Sequence, residues 1–267
     1  MSTKLSRICD GIMEATWLVA IIVVPVFFNI YSSRIFEPDK ITLLRTLALL
    51  MLGAWVTKTV EQGGIRWSKL EWKGSLVKTI ANLPMAMPAI ALAIVYIIST
   101  IFSVTPRVSL WGSYQRLQGA YTTISYLVVF AVLIGNLRKR EQIERLVTAI
   151  ILASLPVSIY GILQKYHFDP VPWGGNVSNR IAANMGNSIF VAAYLIMTVP
   201  LAMGRAIESL TAILKDDKRL WAQTIRATFY IFIFAVNIVA IVMSGSRGPF
   251  LGLFAGVATL ILLLTVY

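Results

Sequence analysis

Arg247 stands in the stretch Ser244-Gly245-Ser246-Arg247-Gly248-Pro249, between two apolar runs at 227–243 and 250–267. So short a turn cannot carry a cation far from the runs beside it. The charge must therefore meet water, a phosphate or a cavity between helices, and an ionisable group at such a depth marks a functional hypothesis. Glycines on either side let a ligand or a neighbouring helix approach the backbone. Arg180 follows a Pro- and Gly-rich stretch, Lys165-Tyr-His-Phe-Asp-Pro-Val-Pro-Trp-Gly-Gly. Arg116 lies in TPRVSLWGSYQRLQGAYTT at 105–123, and Arg45 lies in EPDKITLLRTLALL one turn past Lys40. The planar guanidinium donates two parallel hydrogen bonds and suits phosphate better than an ammonium does. Excess cations in short connections point to an anionic partner.

Each residue also has a plainer reading. Arg247 can snorkel to headgroups. Arg45 and Lys40 can pair with Glu37 and Asp39; the apolar flank of Arg45 favours a pocket instead. The 105–123 segment is too polar to span and reads as an interfacial or re-entrant piece. In it Tyr114, Gln115, Gln118 and Tyr121 can offer hydrogen bonds to sugar hydroxyls, or the whole can be a plain anchor. Asn187 is placed to cap the apolar run after it, a structural role that takes precedence over ligand contact. Were it a cap, the amides of that helix end would face an anion. His167 beside Asp169 can act as an acid or base, although a lone loop histidine is ordinarily just exposed.

The elements that must position these residues are membrane helices. The chain of 267 residues is 57% hydrophobic and 13% charged, against about 25% charged in average globular chains. A net charge of +12 on such a composition fits basic loops beside a bilayer, not nucleic-acid binding. One cysteine and one histidine exclude an intramolecular disulfide and a Cys/His metal cluster. Eight apolar runs are expected to span as helices: 16–35, 41–59, 83–104, 120–137, 146–164, 187–205, 227–244 and 249–267. The fold class is therefore all-α, a polytopic helix bundle forming a single membrane domain over 1–267 without a soluble domain. The first run lacks a convincing cleavage site and reads as a retained span. With the N-terminus cytoplasmic, sixteen of the 24 Lys and Arg residues fall in the inside segments 1–15, 58–82, 138–145 and 205–226. LRKREQIER at 137–145 is the clearest inside loop. Trp17, Trp55, Trp111, Trp173 and Tyr121 fall near expected interfaces. Spans 3, 5, 7 and 8 contain no charge, which favours a site at one face over a conduit for a transported anion. A non-catalytic scaffold is the third alternative.

Three stretches resemble the bacterial O-antigen ligase/polymerase family: RVSLWGSYQRLQGAYTTISY at 107–126, NRIAANMGNSIFVAAYL at 179–195 and SGSRGPFLGLFAG at 244–256. They lie in the expected order. The resemblance implies a multi-pass enzyme of the bacterial inner membrane that works at the periplasmic face without metal or other cofactor. Its reaction is an inverting transfer of a glycan from a polyprenyl diphosphate carrier to a glycan or lipid acceptor. By this resemblance Arg180 and Arg247 meet the diphosphate or the transition-state charge. Arg116, Arg45, Tyr114, Gln118 and Asn187 contribute to substrate binding, and membrane lipids are the other partners. The family has about a dozen spans and a late external loop with an important histidine. This sequence departs from that pattern, so it is expected to represent the N-terminal portion, and His167 does not substitute for that histidine.

Overall fold

A computed structural model of the chain describes residues 3–64, 85–137, 139–169, 171, 177, 179–215 and 220–266. Trp173, Pro84, Pro170, Pro172 and most of the expected basic loop at 58–82 lie outside the described residues. The described residues are all-helical and contain no strand. The helices are α1 (Lys4–Val26), α2 (Glu37–Glu61), α3 (Ala86–Ile101), α4 (Pro106–Trp111), α5 (Ala120–Asn136), α6 (Arg140–Lys165), α7 (Ser188–Leu214), α8 (Leu220–Ser244) and α9 (Arg247–Val266). Five of them, α1, α2, α6, α7 and α8, are long and apolar enough to cross a membrane. The chain is thus a helical membrane protein. Helices α3 and α5 are shorter apolar helices. Helix α3 buries none of its side chains, and Leu92, Val95 and Ile98 stand exposed around it.

The contacts divide the chain into two compact units. The first comprises residues 1–24 and 37–144, the second residues 25–36 and 145–267. In the first unit, α1 buries Cys9, Met13, Thr16, Trp17 and Ala20, a stripe at helical spacing. This overturns two expectations. The helix begins at Lys4 and ends at Val26, so 27–35 is not part of it. Trp17 is buried core and not an interfacial anchor. The polar start of the chain reads as a loop by hydropathy alone, yet its apolar positions recur every three or four residues and give it a face to pack. Lys58, expected in a solvated loop, is likewise buried in the last turn of α2. Its Nζ donates to Asp10 Oδ1 at 2.5 Å and to Asn136 Oδ1 at 2.8 Å, which supply the partners a buried ammonium requires. Residues 140–145, expected as part of a loop, open α6 instead.

In the second unit, Val157, Ile181, Val191, Leu195, Val199, Ala240 and Ile241 form the apolar core. A polar knot sits among the same helices. Asn237 is fully buried; its Nδ2 donates to Ser154 Oγ at 2.9 Å and to Thr198 Oγ1 at 3.2 Å, and its Oδ1 accepts from Ser158 Oγ at 2.7 Å. Lipid tails give no hydrophobic drive between spans, so such bonds and close packing do the holding. Pro156 and Pro200 lie inside α6 and α7, which run on past them. Residues 25–36 fold against the end of α6: Phe28 meets Phe36 at 6.1 Å and Tyr160 at 5.6 Å between ring centroids.

Candidate functional site

In the second unit the site is built on the junction between α8 and α9. Helix α8 ends at Ser244, and Gly245 follows at φ 59°, the left-handed conformation that closes helices and that glycine adopts without strain. Helix α9 starts immediately, with Arg247 as its first residue and Pro249 in its first turn. Ser244 and Ser246 are buried beneath this turn.

Arg180 reaches the turn from the loop before α7. Its Nε donates to the Ser244 carbonyl at 2.8 Å and its Nη2 to Ser246 Oγ at 2.9 Å. The backbone beside it joins in, with the Ile181 amide donating to the Met243 carbonyl at 3.4 Å. The guanidinium therefore sits on the last carbonyl of a 25-residue helix, at the end where partial negative charge gathers. Arg180 and Arg247 both remain exposed. Both belong to this junction: Ser246 accepts a hydrogen bond from Arg180 and directly precedes Arg247 in the chain. Among the described residues, nothing bonds the Arg247 guanidinium. No acid lies in the first turn of α9, so Arg247 adds a cation where the helix dipole is already positive. Two arginines and a positive helix end make an anion-accepting corner.

The loop carrying Arg180 is itself braced. Tyr160 donates its hydroxyl proton to Asp169 Oδ1 at 2.9 Å, and Gln164 Nε2 donates to Asp169 Oδ2 at 3.3 Å and to the Ala183 carbonyl at 3.4 Å. Lys165 Nζ donates to the Asn179 carbonyl at 3.0 Å. Asn184 Nδ2 donates to the Pro25 carbonyl at 2.5 Å. Asn187 caps α7, its side chain accepting from the Ile189 amide at 2.9 Å. His167 lies at φ 61°, its amide bonded to the Gln164 carbonyl and the Phe168 amide to the Leu163 carbonyl. This is the double bond pattern that ends a helix. Its place is a helix terminus with an exposed side chain.

The first unit holds the other expected residues. Arg45 is only 8% exposed. Its Nε and Nη2 donate to Thr122 Oγ1 at 3.0 and 2.7 Å, and Nη2 also donates to the carbonyls of Trp111 at 2.9 Å and Leu117 at 2.6 Å. Its guanidinium carbon lies 4.6 Å from the centroid of the Tyr121 ring. The expectation that an apolar flank leaves Arg45 without a partner is thus corrected: the 111–122 segment folds over it. Arg116 pairs at 3.8 Å with Glu37 of α2. Tyr114 and Gln118 project from the same loop and are exposed.

Sequence reasoning did not find Thr122, Tyr160, Gln164 or the Asn237 knot as partners. Thr122 lies 77 residues from Arg45, and no local pattern links them. No protein-family model matches the chain, and neither a curated protein nor a solved structure matches it.

Proposed function

We propose that this chain is a membrane glycan transferase of the O-antigen ligase/polymerase type, with a bundle of eight spans and a cytoplasmic N-terminus. It takes a glycan from a polyprenyl diphosphate carrier and passes it to a glycan or lipid acceptor at the periplasmic face of the bacterial inner membrane. The observation that supports this reading is the Arg180–Ser246–Arg247 junction. It carries two exposed arginines, one fixed to the turn by two hydrogen bonds and the other the first residue of α9.

In such a reaction the acceptor hydroxyl attacks the anomeric carbon. The bond from that carbon to the phosphate oxygen breaks, and the diphosphate leaves with the electron pair. Donors already aimed at the departing oxygens stabilise the charge as it develops, without reorganising. Arg180 keeps its outward edge for this while its inner edge holds the turn. Arg247 offers its whole fork. The proton of the acceptor hydroxyl goes to a base outside this pair.

The test replaces both residues, Arg180→Ala with Arg247→Ala, in the intact protein in its own cells. Product glycan should disappear while carrier-linked glycan accumulates. Wild-type product from the double variant at normal protein level would overturn the assignment.

A further inference from the structure

We propose that the loop 112–119 of the first unit is a saccharide-recognition loop, and that Arg45 is its positioning residue and never touches the ligand. The inference rests on the reading of the substrate as a lipid-linked glycan.

The loop is closed on itself by two glycines. Gly112 lies at φ 87°, and a Cβ there would strike the backbone of Leu117 and Gln118. A Cβ on Gly119 would strike the amide nitrogen of Gly112 and the carbonyl of Leu110. Only glycine lets the two ends of the loop approach this closely. Inside it, the Arg116 and Leu117 amides both donate to the Ser113 carbonyl, at 3.2 and 2.8 Å.

Arg45 latches the loop from below. Its hydrogen bonds reach the last residue of α4, the interior of the loop and the first turn of α5. Thr122 completes the latch by donating to the Leu117 carbonyl at 2.7 Å. A buried charge with so many acceptors fixes its surroundings strongly, and loss of any one acceptor is costly. A loop fixed before the ligand arrives loses little entropy on binding.

The outer face of the loop is rich in hydrogen-bonding groups. Tyr114 is 74% exposed, and Gln115 and Gln118 are exposed beside it. The one cation of the loop, Arg116, lies 3.8 Å from the Glu37 carboxylate. A face of amides and a phenol, with a carboxylate beside its one cation, suits a neutral polyhydroxyl ligand better than a free phosphate. In the segment that leads into the loop, Phe102, Val104, Val108 and Trp111 are exposed and apolar. Exposed aromatic and apolar side chains of this kind suit the headgroup level of a bilayer, where aromatic belts sit. A saccharide carried on a lipid arrives at this level.

The experiment uses the purified full chain in lipid nanodiscs, applied to an array of phosphate-free bacterial surface oligosaccharides. The wild-type chain should bind a subset of the array. Tyr114→Ala and Gln118→Ala should each weaken that binding by about tenfold, the worth of roughly one good contact. Arg45→Lys keeps a charge but loses the fork. It should weaken binding similarly and speed hydrogen exchange at the Arg116 and Leu117 amides, while α2 and α5 keep their protection. Binding by no saccharide, or unchanged binding by both Tyr114→Ala and Gln118→Ala, would overturn the recognition loop and leave a plain interfacial anchor. Unchanged binding by Arg45→Lys despite faster exchange would overturn the positioning role. The arrayed sugars carry no phosphate, so this result and the fate of the arginine pair are read separately.

Discussion

Arg247→Ala should lower turnover by roughly 10²–10³ while leaving the fold intact, and the surroundings of the side chain say why the two separate. Arg247 is exposed and bonds to nothing among the described residues. Truncating such a side chain ordinarily changes stability by no more than about 0.5 kcal/mol. Here the sign should be favourable, because a cation at the N-terminal end of a helix costs about 0.3–1 kcal/mol and α9 has no acid in its first turn to offset it. For a domain of this size a change of 1 kcal/mol moves the melting temperature by roughly 2–4 °C. The expected shift is therefore zero to a few degrees upward. Activity should respond on another scale. Removing one preorganised donor from a developing anion costs about 2.7–4 kcal/mol, or roughly 10²–10³ in turnover. The assay pairs thermal unfolding in nanodiscs with single-turnover release of glycan from its carrier, both scaled to folded protein. If Arg247→Ala turned over at the wild-type rate, or lost activity only in step with folded protein, the guanidinium would have no part in stabilising charge and the reasoning would fail.

Arg180→Lys should behave differently, losing stability as well as activity, because an ammonium cannot hold the Ser244 carbonyl and Ser246 Oγ with the same fork; hydrogen bonds to charged groups are worth about 1.5–3 kcal/mol each, less where exposed, so unfolding at roughly 1–2 kcal/mol lower free energy is the expected reading. Asn237→Ala strips partners from Ser154, Ser158 and Thr198 and should cost about 1–2 kcal/mol in a detergent or denaturant titration, without altering saccharide binding to the first unit. Gly186→Ala places a Cβ against the Phe36 ring at φ 69° and should destabilise by about 1–3 kcal/mol, with limited proteolysis appearing first in the 25–36 segment.

Most of the helices were legible before any coordinates, since the bilayer allows few solutions for a chain this apolar. The runs expected at 41–59 and 120–137 lie within a few residues of α2 and α5, and the run expected at 227–244 ends with α8, which starts earlier, at Leu220. The failures cluster where polarity was equated with exposure. Lys4–Ala15 folds as helix and Lys58 is buried, because partners at Asp10 and Asn136 make burial affordable. Hydropathy measures transfer to lipid and says nothing of a partner on another helix.

The site divides along the same line. Residue types and spacing mark Arg180, Arg247, Arg116 and Arg45 as candidates, since a guanidinium near apolar runs is conspicuous in any reading of the sequence. Local pattern also sufficed for Asn187 as a cap and Pro249 as a helix start, because those roles involve neighbours within three residues. Only the tertiary fold separates the arginines by their surroundings. Arg45 lies beneath a loop because Thr122 and two carbonyls meet it there, and Arg180 reaches the turn that precedes Arg247 because a serine 66 residues away accepts its hydrogen bond. Such pairings depend on which helix faces which, and that is fixed by packing and hydrogen bonds between distant segments, to which the order of residues along the chain gives no local clue.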